Sequence, residues 1–117
     1  MRLTRFLTCT ALLAALAACA DESPAAAREG RALFAAQGCV ACHGAQAEGT
    51  FMAPSLRGVA RFWTHDALVA YFADPPTAVA KDARLAAFAQ QFRTPMRPVA
   101  ANAATRAALA EYVLSLD

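Results

Sequence analysis

The chain has 117 residues, with 11 Lys and Arg against 9 Asp and Glu, four cysteines and 58% hydrophobic residues. This length holds one small domain and excludes a multidomain enzyme. Arg2 and Arg5 carry the whole basic excess, so the remainder is balanced and lacks the basic footprint that nucleic-acid binding needs.

Arg2 and Arg5 precede an apolar run from Phe6 to Ala18, shorter than the roughly 20 residues of a membrane span. A basic start, an apolar stretch and small residues before a cut predict a secretory signal over residues 1–18. Leu16-Ala17-Ala18-Cys19 resembles the lipobox of bacterial lipoproteins, in which the cysteine becomes the lipidated first residue. The alternative is ordinary cleavage near Ala18 or Ala20. Cysteine arithmetic favours lipidation, because Cys19 would otherwise remain an odd thiol in an oxidising compartment. A lipid anchor on Cys19 would place the protein in the periplasm or on the outside of the cytoplasmic membrane.

Residues 19–24 form a short polar tether, and one domain is expected over residues 25–117. Ser23 before Pro24 reads as an N-cap, and the first helix is predicted to run to about Gln37, with Gly38 as its stop. From Cys39 to Phe62 no helical period is seen, so a long loop is expected. Thr64 caps a second helix that Pro75-Pro76 ends after Asp74. A third helix is predicted from Thr77 to Phe92, with Leu85, Phe88 and Phe92 on one face. After a proline-bounded loop, Thr94-Pro95-Met96-Arg97-Pro98, a final helix starts near Asn102 or Thr105 and carries Leu109, Tyr112, Val113 and Leu116. No segment alternates with period two, so the fold class is all-α.

The chemistry sits at Cys39-Val40-Ala41-Cys42-His43, a C-x-x-C-H motif at the end of a helix. Its spacing suits covalent haem attachment: two thiols form thioethers with the haem vinyl groups, and the adjacent histidine reaches the iron. A thioredoxin-like dithiol would need a βαβ pattern that is missing. A zinc site would need more ligands, and His65 is the only other histidine. No motif brings together a nucleophile with a base or a pair of carboxylates, so the chain is not read as an enzyme.

Several further segments carry a resemblance over most of the chain. Gly30 and Phe34 stand four apart on the first helix, and Pro54-Ser55-Leu56-Arg57-Gly58 follows His43. Trp63, Leu68 and Tyr71 fit W-x4-L-x2-Y, Thr94 and Met96 fit T-x-M, and Arg106, Leu109 and Tyr112 fit R-x2-L-x2-Y. In this order they resemble the class I cytochromes c. The resemblance implies about four helices wrapped around one covalently attached haem c, held by Cys39 and Cys42. It implies iron ligation by His43 and Met96, with the Pro54 carbonyl orienting His43. Trp63, Tyr71 and Thr94 would line the group or bond its propionates. Met52, tied to the Pro54 loop, is the competing methionine, and His65 is expected to be a solvated or capping histidine rather than a second histidine on the iron. About twenty residues separate Pro75 from Met96, more than compact members of the family have, so the Thr77–Phe92 helix is read as an insertion over one haem edge.

The expected function is single-electron transfer between a redox donor and acceptor protein outside the cytoplasmic membrane. One or both partners are expected to be membrane-associated. The alternatives are the haem subunit of a periplasmic oxidoreductase complex and a haem-based ligand-binding module.

Overall fold

The computed structural model describes residues 24–117. The signal, Cys19 and the Ser23 cap lie outside the described residues. Within them the elements are α1 (Pro24–Ala36), α2 (Val40–His43), a 3-10 turn (Val59–Arg61), α3 (His65–Ala73), α4 (Pro75–Lys81), α5 (Ala83–Gln91) and α6 (Ala103–Leu114). No strand occurs among the described residues, and the fold is all-α.

The caps explain most helix boundaries. Gly38, at φ +79°, takes the left-handed conformation that ends the α1 turn. The Thr64 hydroxyl accepts from Ala67 N at 3.3 Å, starting α3 as its sequence predicts. Asn102 Oδ1 accepts from Thr105 N at 2.8 Å and starts α6. The two prolines act differently from the expectation. They stop α3, but they also occupy the first turn of α4, where a missing N–H costs nothing. Asp74 caps this helix: its carboxylate accepts from Thr77 N at 3.2 Å and from the Thr77 hydroxyl at 2.6 Å. Those bonds hold the Asp74 carboxyl below the usual carboxylate range.

Two expectations are corrected. The Thr77–Phe92 stretch is two helices, because Asp82 leaves the helical conformation and its Oδ1 accepts from Arg84 N at 2.8 Å and Leu85 N at 3.3 Å. A side chain that competes for backbone donors breaks the helix and caps the next one. The Cys39–Phe62 segment is not wholly loop, since it holds α2 and the 3-10 turn. The count is accordingly higher than four.

The core forms where α1 and α3 pack against α6. Phe34, Leu68, Phe72, Leu109, Tyr112 and Val113 are buried there. Gly30 explains how closely α1 approaches: a Cβ built on it would lie 2.4 Å from Tyr112 Cβ. The Phe34 and Tyr112 rings then meet with centroids 5.7 Å apart and planes tilted by 59°, an edge-to-face arrangement. This helix pair is the frame on which the loops of the site are hung.

Candidate haem-attachment site

Gly38 turns the chain out of α1, and Cys39 N donates back to Phe34 O at 3.1 Å. The next turn, α2, holds Cys39, Cys42 and His43 together: His43 N donates to Cys39 O at 2.9 Å. Neither cysteine forms a disulfide among the described residues, both are half-buried, and Ala41 between them is exposed. Burial pushes the Cys39 thiol up from its ordinary value.

His43 is buried, and its Nδ1 lies 2.8 Å from the Pro54 carbonyl oxygen. A carbonyl only accepts, so Nδ1 carries the proton and Nε2 keeps its lone pair. Burial lowers the His43 pKa, partly opposed by the Pro54 bond, which again favours a neutral ring with Nε2 free to ligate.

The loop from His43 to Gly58 is built to present that carbonyl. Gly49 N donates to His43 O at 2.7 Å, and Leu56 N donates to Ala47 O at 2.9 Å. Thr50 braces the turn, with its hydroxyl donating to Cys42 O at 2.6 Å and its N–H to Ala53 O at 2.9 Å. Arg57 ties the far side, donating to Gln46 O at 3.2 Å and to Asp117 O at 3.3 Å. Met52 sits in this braced turn, its N–H bonded to the Thr50 hydroxyl at 3.0 Å.

The remaining expected residues divide into two groups. Trp63 and Tyr71 meet with ring centroids 5.1 Å apart, and both pack against the core cluster while staying half-exposed. Burial raises the Tyr71 phenol, so it remains a neutral donor. Met96 is half-buried and also packs against the core, whereas Met52 does not. Thr94 is exposed, and no hydrogen bond of its side chain is seen. His65 plays the bridging part rather than a ligand's: Nε2 lies 3.2 Å from Ala107 O on α6, and Nδ1 lies 3.3 Å from Asp66.

Two contributors escape the sequence. Thr50 belongs to no motif, and its value comes from a bond eight residues back. Arg84 reaches from α5 to the aromatic wall, its guanidinium 5.0 Å from the Trp63 ring and 5.6 Å from the Phe62 ring. It also donates to Phe62 O at 3.3 Å. Cation–π contacts of this type join elements about twenty residues apart and leave no periodic signal.

An all-α chain with two cysteines three apart and in no disulfide, a buried histidine held by a carbonyl and a half-buried methionine has the donor set of a haem-c protein. The family model for cytochrome c matches residues 27–117. The chain therefore belongs to the cytochrome c family, whose members carry covalently attached haem c and transfer electrons. Neither the comparison with curated proteins nor that with solved structures gave a match. The residues present fit the group: the His43 Nε2 makes no hydrogen bond, and no cluster of three or more His, Cys, Asp or Glu side chains among the described residues offers a rival metal site.

Proposed function

We propose that this haem-based electron-transfer protein is an exported single-electron carrier, in which Cys39 and Cys42 would hold the haem through thioethers and His43 and Met96 would hold its iron. The carrying observation is the 2.8 Å bond between His43 Nδ1 and Pro54 O, which leaves Nε2 available beside two cysteines that form no disulfide. When bound, haem supplies a one-electron ferric–ferrous couple. Pro54 fixes the imidazole plane and raises its basicity. Trp63, Tyr71, Leu56 and Val59 pack against the core cluster and would supply largely apolar surroundings for the group. Met96 is preferred over Met52 because it packs on the core, while Met52 is committed to the turn braced on Cys42. Were both side chains to hold the iron, no position would be left for substrate, which supports a carrier over an enzyme.

Partners are redox proteins, and the membrane association rests on the Cys19 reading. No helix among the described residues is long and apolar enough to cross a membrane. One observation favours the second reading, a subunit of an oxidoreductase complex. Phe51 and Phe62 are 89% and 64% exposed, and a stoichiometric partner would cover them. Isolation of a fixed-ratio complex favours the subunit, and isolation of a monomer favours the free carrier.

The test of the ligand assignment is Met96→Ala in the haem-loaded ferric protein. The weak far-red sulfur-to-iron band is expected to vanish, the reduction potential to fall, and carbon monoxide to bind the ferrous form. Met52→Ala is expected to keep the band. The reverse pattern overturns the assignment.

A further inference from the structure

The segment between α5 and α6 carries Met96, yet it does little to hold itself in place. From Arg93 to Pro98 no residue donates a backbone hydrogen bond, and Pro95 and Pro98 have no N–H to give. The first fixed point after Met96 is Val99, which is buried and whose N–H donates to Phe72 O at 2.8 Å, at the end of α3. The second is Ala101, whose N–H bonds back to Val99 O at 2.8 Å. Both carbonyls turn toward α6, and one side chain meets them. Arg106 Nη1 donates to Ala101 O and, at 3.5 Å, more weakly to Val99 O.

We propose that Arg106 is the positioning residue for Met96: it locks the Val99–Ala101 corner to α6 and so fixes the sulfur's reach. The inference rests on the reading of Met96 as distal ligand. Three features support it. Arg106 stands in the first turns of the helix whose Leu109, Ala110, Tyr112 and Val113 are buried, so its backbone is rigid. Its guanidinium is half-buried, and Nε is fully shielded without a hydrogen-bond partner, so the group has no competing anchor there. Charge-assisted bonds to carbonyls are the stronger kind, and their loss leaves the Ala101 carbonyl without its Arg106 donor and Val99 O with the Ala101 N–H alone. Without that lock, the one hydrogen bond that ties the corner to another element is Val99 N–H to Phe72 O, beside the packing of Val99 and Met96 on the core.

The Arg106 guanidinium hydrogen-bonds only these two carbonyls, so it acts through the loop. Its removal therefore raises the fraction of molecules in which the sulfur is away from iron. An external ligand binds only that fraction, so its apparent affinity rises in proportion.

The experiment uses haem-loaded ferric protein and cyanide as probe, comparing wild type with Arg106→Gln, Arg106→Lys and Val113→Ala. Val113→Ala opens a cavity two turns along α6 from Arg106, removes neither bond of the guanidinium, and serves as the control for lost stability. For Arg106→Gln, the far-red band is expected to weaken and cyanide affinity to rise about tenfold. Arg106→Lys is expected to restore both in part, because an ammonium can still donate to one carbonyl. Val113→Ala is expected to lower the melting temperature while leaving band and cyanide affinity near wild type. If Val113→Ala and Arg106→Gln weaken the band alike, Arg106 is merely structural and the inference fails. If wild type shows the band and Arg106→Gln leaves band and cyanide affinity unchanged, this inference fails alone. If wild type lacks the band, the Met96 reading fails and the inference with it.

Discussion

His43 and His65 show how one residue type takes opposite roles from its surroundings. Burial lowers the first and a carbonyl orients it, which suits a neutral ligand. The second is raised above its ordinary value near 6.5, chiefly by the hydrogen bond to Asp66. The protonated ring donates from both nitrogens, to Asp66 and to Ala107 O, and so links α3 to α6. A raised folded pKa gives stability that is fully present below the unfolded value and is lost as pH rises past the folded one. The melting-temperature advantage of wild type over His65→Ala should therefore shrink as pH rises from about 6 to about 8. An advantage that grows over that range would contradict the assignment. The side chain is 39% exposed, so the effect is small. At this scale the C-x-x-C-H motif was fully legible, because five adjacent residues carry it. Thr50 was not, because its worth depends on a carbonyl that only the folded loop brings near.

At the scale of elements, local chemistry was legible wherever one side chain decides the boundary. Thr64, Asn102 and Gly38 each act within a few residues of themselves, and sequence spacing finds them. The break at Asp82 was missed because the flanking apolar residues keep a helical period on both sides, and an aspartate reads as surface in either case. Asp82→Ala should cost about 1 kcal/mol, the usual worth of a lost N-cap. A chemical-denaturation midpoint checks it, and the loss should fall on α5, where the Arg84 contacts to Phe62 and Trp63 would loosen. The α2 turn was missed for another reason, since four residues are too few for periodicity to register. Gly30 is the sharpest element-scale case. Its missing side chain lets α1 cross α6, and the clash falls on Tyr112 Cβ, which the backbone fixes. Gly30→Ala should therefore destabilise the haem-loaded protein by about 1–3 kcal/mol, as overpacking does, despite alanine's better helix propensity. A thermal melt that rises instead would mean that the helices slide apart freely.

For the whole molecule, the frame of α1, α3 and α6 and the loops hung on it make one apolar centre from few buried residues. A small domain with so thin a core gains much from a covalently held apolar group in its midst. Where that centre works in the cell depends on the N-terminus. With acyl chains on Cys19 and a tether of about 15 Å, the site would stay near a bilayer. Cys19→Ser is expected to move the coloured protein from membrane to soluble fraction with its spectrum unchanged, and an unmodified wild-type N-terminus by intact mass would contradict this. The central claim is that Cys39 and Cys42 hold a haem through two thioethers so that His43 can ligate it. Its most direct test is acid–acetone extraction followed by intact mass on protein made with haem-maturation machinery. The account predicts one haem retained on the wild-type chain and none on the double variant Cys39→Ser, Cys42→Ser. A wild-type chain that loses all colour and reports two free thiols, or a double variant that keeps its haem, would contradict it.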